Sequence, residues 1–123
     1  MARSTSRVIG ILATVMGVVM IGSGVSKLVG EAHQVAMFAQ AGLPSWFLAL
    51  VGTFEVIGGI LLAVPSSTPA GSLILSTIMV GALWTHAAQG EWAKLVPVSV
   101  LLALLLLIFQ RNRSRAVRLL GAV

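Results

Sequence analysis

Residues 51–65 read VGTFEVIGGILLAVP. Apart from Thr53 and Glu55, every position is apolar or glycine. With WFLAL (46–50) in front of it, the run reaches from Trp46 to Val64. At ~1.5 Å per residue that is close to the ~30 Å of a bilayer's hydrocarbon core. Glu55 sits inside it, where an unpaired charge costs at least ~2.5 kcal/mol. On a helix, residues three and four apart share a face. The neighbours of Glu55 on its own face are Gly52, Gly58 and Gly59, with Val51 the exception. Glycine lets a second helix backbone come close, so this pattern predicts a carboxylate turned into a helix bundle and away from lipid.

The rest of the chain agrees with a membrane setting. Of its 123 residues 58% are hydrophobic and only 9% charged, against roughly a quarter charged in a soluble domain. The mean hydropathy is +1.04. Four apolar runs predict four spans at about 8–30, 46–64, 70–89 and 95–110, in a single all-α domain that forms an integral membrane four-helix bundle. Two arginines ahead of the first run also resemble a signal peptide, but the run continues past the small GSG (22–24) to Val29, which favours a span. PSSTP (65–69) and QGEWAK (89–94) read as turns. The longer link, EAHQVAMFAQAGLPS (31–45), is expected to hold a short interfacial helix over 35–41.

Charge placement sets the expected orientation. Arg3 and Arg7 precede the first span; Arg111, Arg113, Arg115 and Arg118 follow the last. Four crossings bring both ends to one side, and the positive-inside rule makes that side the cytoplasm of a multi-pass cell-membrane protein. Anionic lipid accounts for these arginines, and no stacking aromatics accompany them, so nucleic acid is not an expected partner. Trp46 and Trp92 fall at span ends, as interfacial aromatics do. There is no cysteine, which removes disulfides and thiolate chemistry, and two histidines with three acids give no metal-ligand pattern. GSGVSKLVGE (22–31) and GALWTHAAQGE (81–91) echo one another and suggest a repeated hairpin, although the fourth span has no counterpart of Glu55.

Three polar residues within the spans are the candidate site: Glu55, Lys27 and His86. Lys27 has Ser23 and Gly24 one turn before it, so its face is also small. Lys27 lies near the outer end of the first span and Glu55 about nine residues below the outer end of the second, a difference of roughly 9 Å. Side chains lean toward their helix N-terminus, which brings Lys27 and His86 down and Glu55 up, into one zone. Gly24, Gly52, Gly58 and Gly59 are expected to pack helices. The plainer alternatives are a Lys27 that snorkels to headgroups, an interfacial His86 beside Trp84, and a Glu55 that only clamps the bundle. Glu31, His33 and Glu91 are expected to be solvated loop residues.

The stretches GSGVSKLVG (22–30), AGLPSWF (41–47), GTFEVIGGILLAVP (52–65) and IMVGALWTHAAQGE (78–91), in this order, resemble the DoxX-like family of small four-span membrane proteins. In that family, polar positions matching Lys27, Glu55 and His86 recur within the spans. The resemblance implies the fold, and it links the chain to redox chemistry at the membrane: some members resemble quinone-reducing subunits of thiosulfate oxidation, others join oxidative-stress complexes, and eukaryotic branches act as chaperones or cargo receptors. The lack of cysteine departs from thiol-bearing relatives and rules out a direct thiol–disulfide role.

Three functions follow as expectations. The first is an accessory to membrane redox chemistry, with quinone as the candidate cofactor at Lys27, His86 and Glu55. It has no electron carrier of its own and is more a subunit than an enzyme by itself, so a soluble or membrane redox protein must deliver electrons. The second is a scaffold or assembly factor that holds partners through RNRSRAVRLL (111–120) or the outer loops. The third is a proton-coupled transporter; small multidrug pumps, however, carry their glutamate in the first span, where this chain has Lys27. Self-association is compatible with all three.

Overall fold

The computed structural model describes the backbone of residues 2–121 and the side chains of residues 6–112. Five helices follow in order: α1 (Ala2–Leu28), α2 (Ala32–Gln40), α3 (Ser45–Ala63), α4 (Thr68–Ala88) and α5 (Trp92–Gly121). Four of them contain segments long and apolar enough to cross a membrane: Ser6–Leu28, Ser45–Ala63, Thr68–Ala88 and Trp92–Asn112. The outer surface of these segments is mostly apolar. Val8, Val18 and Ile60 are 61%, 61% and 49% exposed, which water would penalise and lipid does not. This is a multi-pass membrane protein. Its terminal end carries the start of α1, the end of α5 and the 64–67 turn; its loop end carries α2 and the 89–91 turn.

Antiparallel α1 and α3 form the closest pair, and glycine is the reason. The buried positions of α3 include Leu48, Gly52, Glu55, Gly59 and Leu62, alternating four and three apart along one seam. A Cβ added at Gly24 would stand 2.6 Å from the Gly52 carbonyl oxygen, and one at Gly17 would stand 2.6 Å from that of Gly59. The two helices therefore touch backbone to backbone at two levels one heptad apart. Gly58 turns the other way and receives Leu75 of α4, while Gly71 of α4 lies against the α3 backbone at Gly58 and Leu62. Helix α5 packs along α4 and scarcely meets α1.

The apolar core occupies the middle and the terminal half. Ile9, Ala13, Met16 and Met20 of α1 meet Leu62, Leu75, Met79, Leu105 and Ile108. Nearer the loop end, α5 offers the partly buried Val98 and Leu101, and the bundle there is open.

The helix ends are set by local chemistry. Gly30 (φ 71°), Gly42 (φ 73°) and Gly90 (φ 72°) adopt the left-handed conformation that glycine tolerates. Each closes its helix in the same way: the Glu31, Leu43 and Glu91 amides donate to the Ser26, Phe38 and His86 carbonyls, the signature of a Schellman cap. The echo between 22–31 and 81–91 is thus, locally, one capping motif used twice. At the terminal end, the Ser67 hydroxyl donates to the Leu61 carbonyl and the Thr68 hydroxyl to that of Leu62. Pro69 fills the first turn of α4, where its missing N–H has no cost.

Several expected boundaries move. The first span ends at Leu28, two residues early, because Gly30 reverses the chain. The interfacial helix starts at Ala32 instead of Val35, since the Glu31 carboxylate accepts from the His33 and Gln34 amides and caps it. Helix α5 begins at Trp92 instead of Leu95, and Pro97 lies inside it. Proline in a membrane helix forfeits one backbone bond, and its neighbours tolerate the loss. The helix then continues through the arginine-rich tail to Gly121; the side chains of Arg3, Arg113, Arg115 and Arg118 lie outside the described residues.

Candidate functional site: a polar cluster in an open membrane cavity

Lys27 and Glu55 meet. Lys27 is 8% exposed and Glu55 3%, and the Lys27 Nζ stands 3.0 Å from the Glu55 Oε1. The same Nζ donates to the Ser23 Oγ at 3.0 Å, one turn back on α1. Gly52 makes this possible: a Cβ there would stand 2.9 Å from the Lys27 Cβ, so the lysine stem lies in the space that a side chain would fill. The glycine three residues before Glu55 is the seat of its partner. Such a pair offsets the cost of two charges in a low-dielectric interior only if the remaining lone pairs and protons are also satisfied.

One is not. The Glu55 Oε2 is buried with no hydrogen-bond partner. An unsatisfied buried acceptor costs about 1–3 kcal/mol, and more when it carries charge.

His86 lies elsewhere in the same zone. Its Nδ1 is 3.1 Å from the Glu91 Oε1, and the Lys94 Nζ donates to the Glu91 Oε2 at 2.7 Å. Glu91 is therefore the centre of a small charged group and not a freely solvated loop residue. The Lys94 hydrogen bond, followed by that of His86, holds its carboxyl below the ordinary value of 4.5. Glu31 is held low as well, by the His33 and Gln34 amides that it caps. His33 is exposed, as expected.

A cavity of about 600 Å³ joins these groups. Ser23, Lys27, Glu55, His86 and Glu91 line it, on walls that are otherwise mostly apolar. Met37 and Phe38 of α2 and Phe47 of α3 form its edge toward the loop end; Phe38 and Phe47 lie with ring centroids 6.3 Å apart. Exposed Val19, Phe54 and Trp84 also belong to the lining, so the cavity opens on the lipid-facing surface. The volume falls in the range of small-molecule sites, and a few polar groups on an apolar wall are their usual chemistry. A second cavity of about 470 Å³ lies at the terminal end, beside Arg111. There Thr14, Thr68 and Asn112 are bonded to backbone carbonyls, and Ser6 shares the lining with Arg111.

A family model now bears on the chain. The model of the DoxX-like family matches residues 11–109, most of the sequence and all of the cavity. The chain belongs to the DoxX-like family. No curated protein and no solved structure matches it.

Within this DoxX-like protein, the structure brings Lys27 and Glu55 into contact and places His86 on the same cavity, tied to Glu91. Gly24, Gly52 and Gly59 separate α1 from α3 by no more than backbone contact, and Gly58 faces α4. Sequence reasoning passed over Ser23 as a partner of Lys27, Glu91 as a partner of His86, and Gly17 and Gly71 as packing residues. The spacing of Gly17 and Gly24 by seven, matched by Gly52 and Gly59, was the available signal. Among the described residues no group of three or more His, Asp or Glu stands ready to hold a metal ion.

Proposed function

We propose that this DoxX-like protein binds a lipid-soluble carrier of the quinone class in the loop-end cavity, as an accessory to membrane redox chemistry. The observation that supports this reading is the cavity itself: an apolar space open to lipid, with a buried ion pair and a histidine on its wall. A head group with oxygen atoms would reach the polar wall while its isoprenoid or alkyl tail leaves between Phe54 and Trp84 into the bilayer. The redox assignment rests on what DoxX-like proteins are linked to, and electrons would come from a partner protein. The terminal end would face the cytoplasm, as its arginines favour.

A scaffold is the second reading, favoured by one observation. The Lys27–Glu55 pair joins α1 to α3 at their closest approach and would serve as a clamp with no ligand at all.

Native mass spectrometry of the protein released from membranes with its lipids separates the two. A quinone retained by the wild type and lost in Glu55→Gln is the expected result. A protein partner retained in both forms, with no small molecule in either, would make Glu55 a clamp and the protein a scaffold.

A further inference from the structure

The terminal cavity of about 470 Å³ lies where the chain is basic and has no acid. The sequence holds three acidic residues, and each is engaged in the loop half. Glu31 caps α2, Glu55 pairs with Lys27, and Glu91 holds His86 and Lys94. Arg111 on the cavity wall is thus left without an acidic side chain to neutralise it, and the sequence adds Arg113, Arg115 and Arg118 beyond it. Backbone carbonyls that would repel an anion there already hold donors. Those of Leu61 and Leu62 accept from the Ser67 and Thr68 hydroxyls, and that of Ile108 from the Asn112 Nδ2 at 2.8 Å. The wall also changes with depth. Ser6 opens the first span and Asn112 closes the last, so Ser6, Arg111 and Asn112 make a polar rim at the edge of the hydrocarbon. Ala13 lies about 10 Å deeper, at ~1.5 Å per residue, and Ala63 of α3 stands with it on the lining. Between rim and floor is Gly10, on the face of α1 that Ser6, Ala13 and Thr14 share. A Cβ added there would meet nothing within 4 Å. Unlike Gly17 and Gly24, Gly10 brings no helix backbone close; it leaves space.

We propose that this cavity seats one anionic phospholipid, its phosphodiester at the rim against Arg111 and Asn112 and one acyl chain passing over Gly10 toward Ala13. A guanidinium matches phosphate oxygens with paired N–H donors. Asn112 has a second amide N–H besides the one given to Ile108, and Ser6 adds a hydroxyl. Polar groups at the edge of the span and apolar ones two turns deeper follow the order of head and tail in a lipid, which favours a lipid phosphate over a free one. Helices α1 and α5 scarcely touch, and the lipid fills the gap between them at this end. Such a seat differs from the diffuse attraction of a basic tail for an anionic leaflet, which depends on charge alone; the seat depends on charge and on the space at Gly10. It is separate from the loop-end cavity and stands whether or not a carrier binds there.

The test is native mass spectrometry of the full chain, stripped of lipid in a neutral detergent and titrated with three probes: phosphatidylglycerol, phosphatidylcholine with the same acyl chains, and inorganic phosphate. The first phosphatidylglycerol should bind about tenfold tighter than phosphatidylcholine, as a charge-assisted hydrogen bond allows, and millimolar phosphate should not displace it. Arg111→Gln should remove the preference. Gly10→Leu, which leaves every charge in place and fills the space, should weaken phosphatidylglycerol by a similar factor while thermal unfolding stays near the wild type. Arg7→Gln, which removes a charge from the same end but not from the lining, should change it by less than about twofold, because salt screens charges beyond ~8–10 Å. Equal affinity for the two lipids would overturn the proposal. So would full binding in Gly10→Leu, or equal losses in Arg7→Gln and Arg111→Gln, since either would reduce the effect to diffuse charge. Phosphate that competes as well as the lipid would make the ligand a free anion and overturn the lipid. If Gly10→Leu does not fold, the comparison of Arg111→Gln with Arg7→Gln still decides.

Discussion

At the scale of single residues, the protein is organised around a charge that its surroundings should exclude. Lys27 makes Glu55 tolerable, and it follows that removing one partner is worse than removing both. Lys27→Met should leave a buried, uncompensated carboxylate and lower stability by about 3–5 kcal/mol. Lys27→Met combined with Glu55→Gln should recover much of that loss, as a double-mutant cycle in lipid–detergent unfolding would measure. A loss in the double variant equal to the sum of the Lys27→Met and Glu55→Gln losses would mean that the pair contributes nothing as a pair. Glu91 gives a prediction in pH. Its carboxyl is held below its ordinary range by Lys94 and His86, so its contribution to the native state is complete above that range and is lost as pH falls through the depressed value. Hydrogen exchange of the 86–94 segment, expressed as protection factors, should therefore be unchanged above the ordinary carboxylate range and accelerate only at pH below it. Glu91→Gln should show the faster exchange already at neutral pH. Lys27 and Glu55 were legible as a pair because both sit on glycine-lined faces and lean toward one another. The His86–Glu91 pairing was not, because it depends on the way a Schellman cap folds residue 91 back over the preceding turn, and periodicity says nothing about a turn.

At the scale of elements, α1 and α3 are held at backbone distance by glycines matched at two levels, and side-chain volume should be felt there but not at a glycine on the outer face of α1. A methyl at Gly24 would meet the Gly52 carbonyl at 2.6 Å and the Val56 side chain at 2.7 Å. The helices must then part, at a cost of about 1–3 kcal/mol. Two residues earlier, Gly22 has nothing within 4 Å of an added Cβ, and Gly22→Ala should be neutral or raise stability by a few tenths up to about 1 kcal/mol. Thermal unfolding of the two alanine variants side by side tests this; similar melting temperatures would dismiss the close-packed pair. The four spans could be read from hydropathy because each is continuous, and Gly52, Gly58 and Gly59 stood out because Glu55 drew attention to their face. Gly17 did not, lying among valines and methionines with no charged neighbour to mark its side. The early start of α5 was hidden for a different reason. Pro97 punctuates a soluble helix, and in a membrane helix it merely removes one backbone bond.

At the scale of the whole molecule, the two ends differ in chemistry. All three tryptophans, Trp46, Trp84 and Trp92, lie toward the loop end, where they are 66%, 78% and 67% exposed. Such rings settle at the headgroup level of a bilayer. Arg7 and Arg111 lie toward the opposite end, and the sequence adds Arg3, Arg113, Arg115 and Arg118 there. Between them the bundle is solid in its terminal half and open in its loop half, so a carrier site would lie nearer the membrane face marked by tryptophan. The arginines set which face that is. Each basic residue near a span resists crossing, whereas the acids Glu31 and Glu91 have little influence on topology. Both termini should therefore face the cytoplasm and the cavity should lie toward the outer leaflet. Fusions carrying a reporter that is active only in the cytoplasm, joined after Val123, should be active; the same reporter placed in the 89–91 turn should be silent. Replacing Arg111, Arg113, Arg115 and Arg118 with glutamine should weaken this preference without altering the helix pairing. A silent C-terminal fusion in the otherwise unaltered chain would invert the molecule and place the cavity toward the inner leaflet, within reach of soluble redox partners in the cytoplasm.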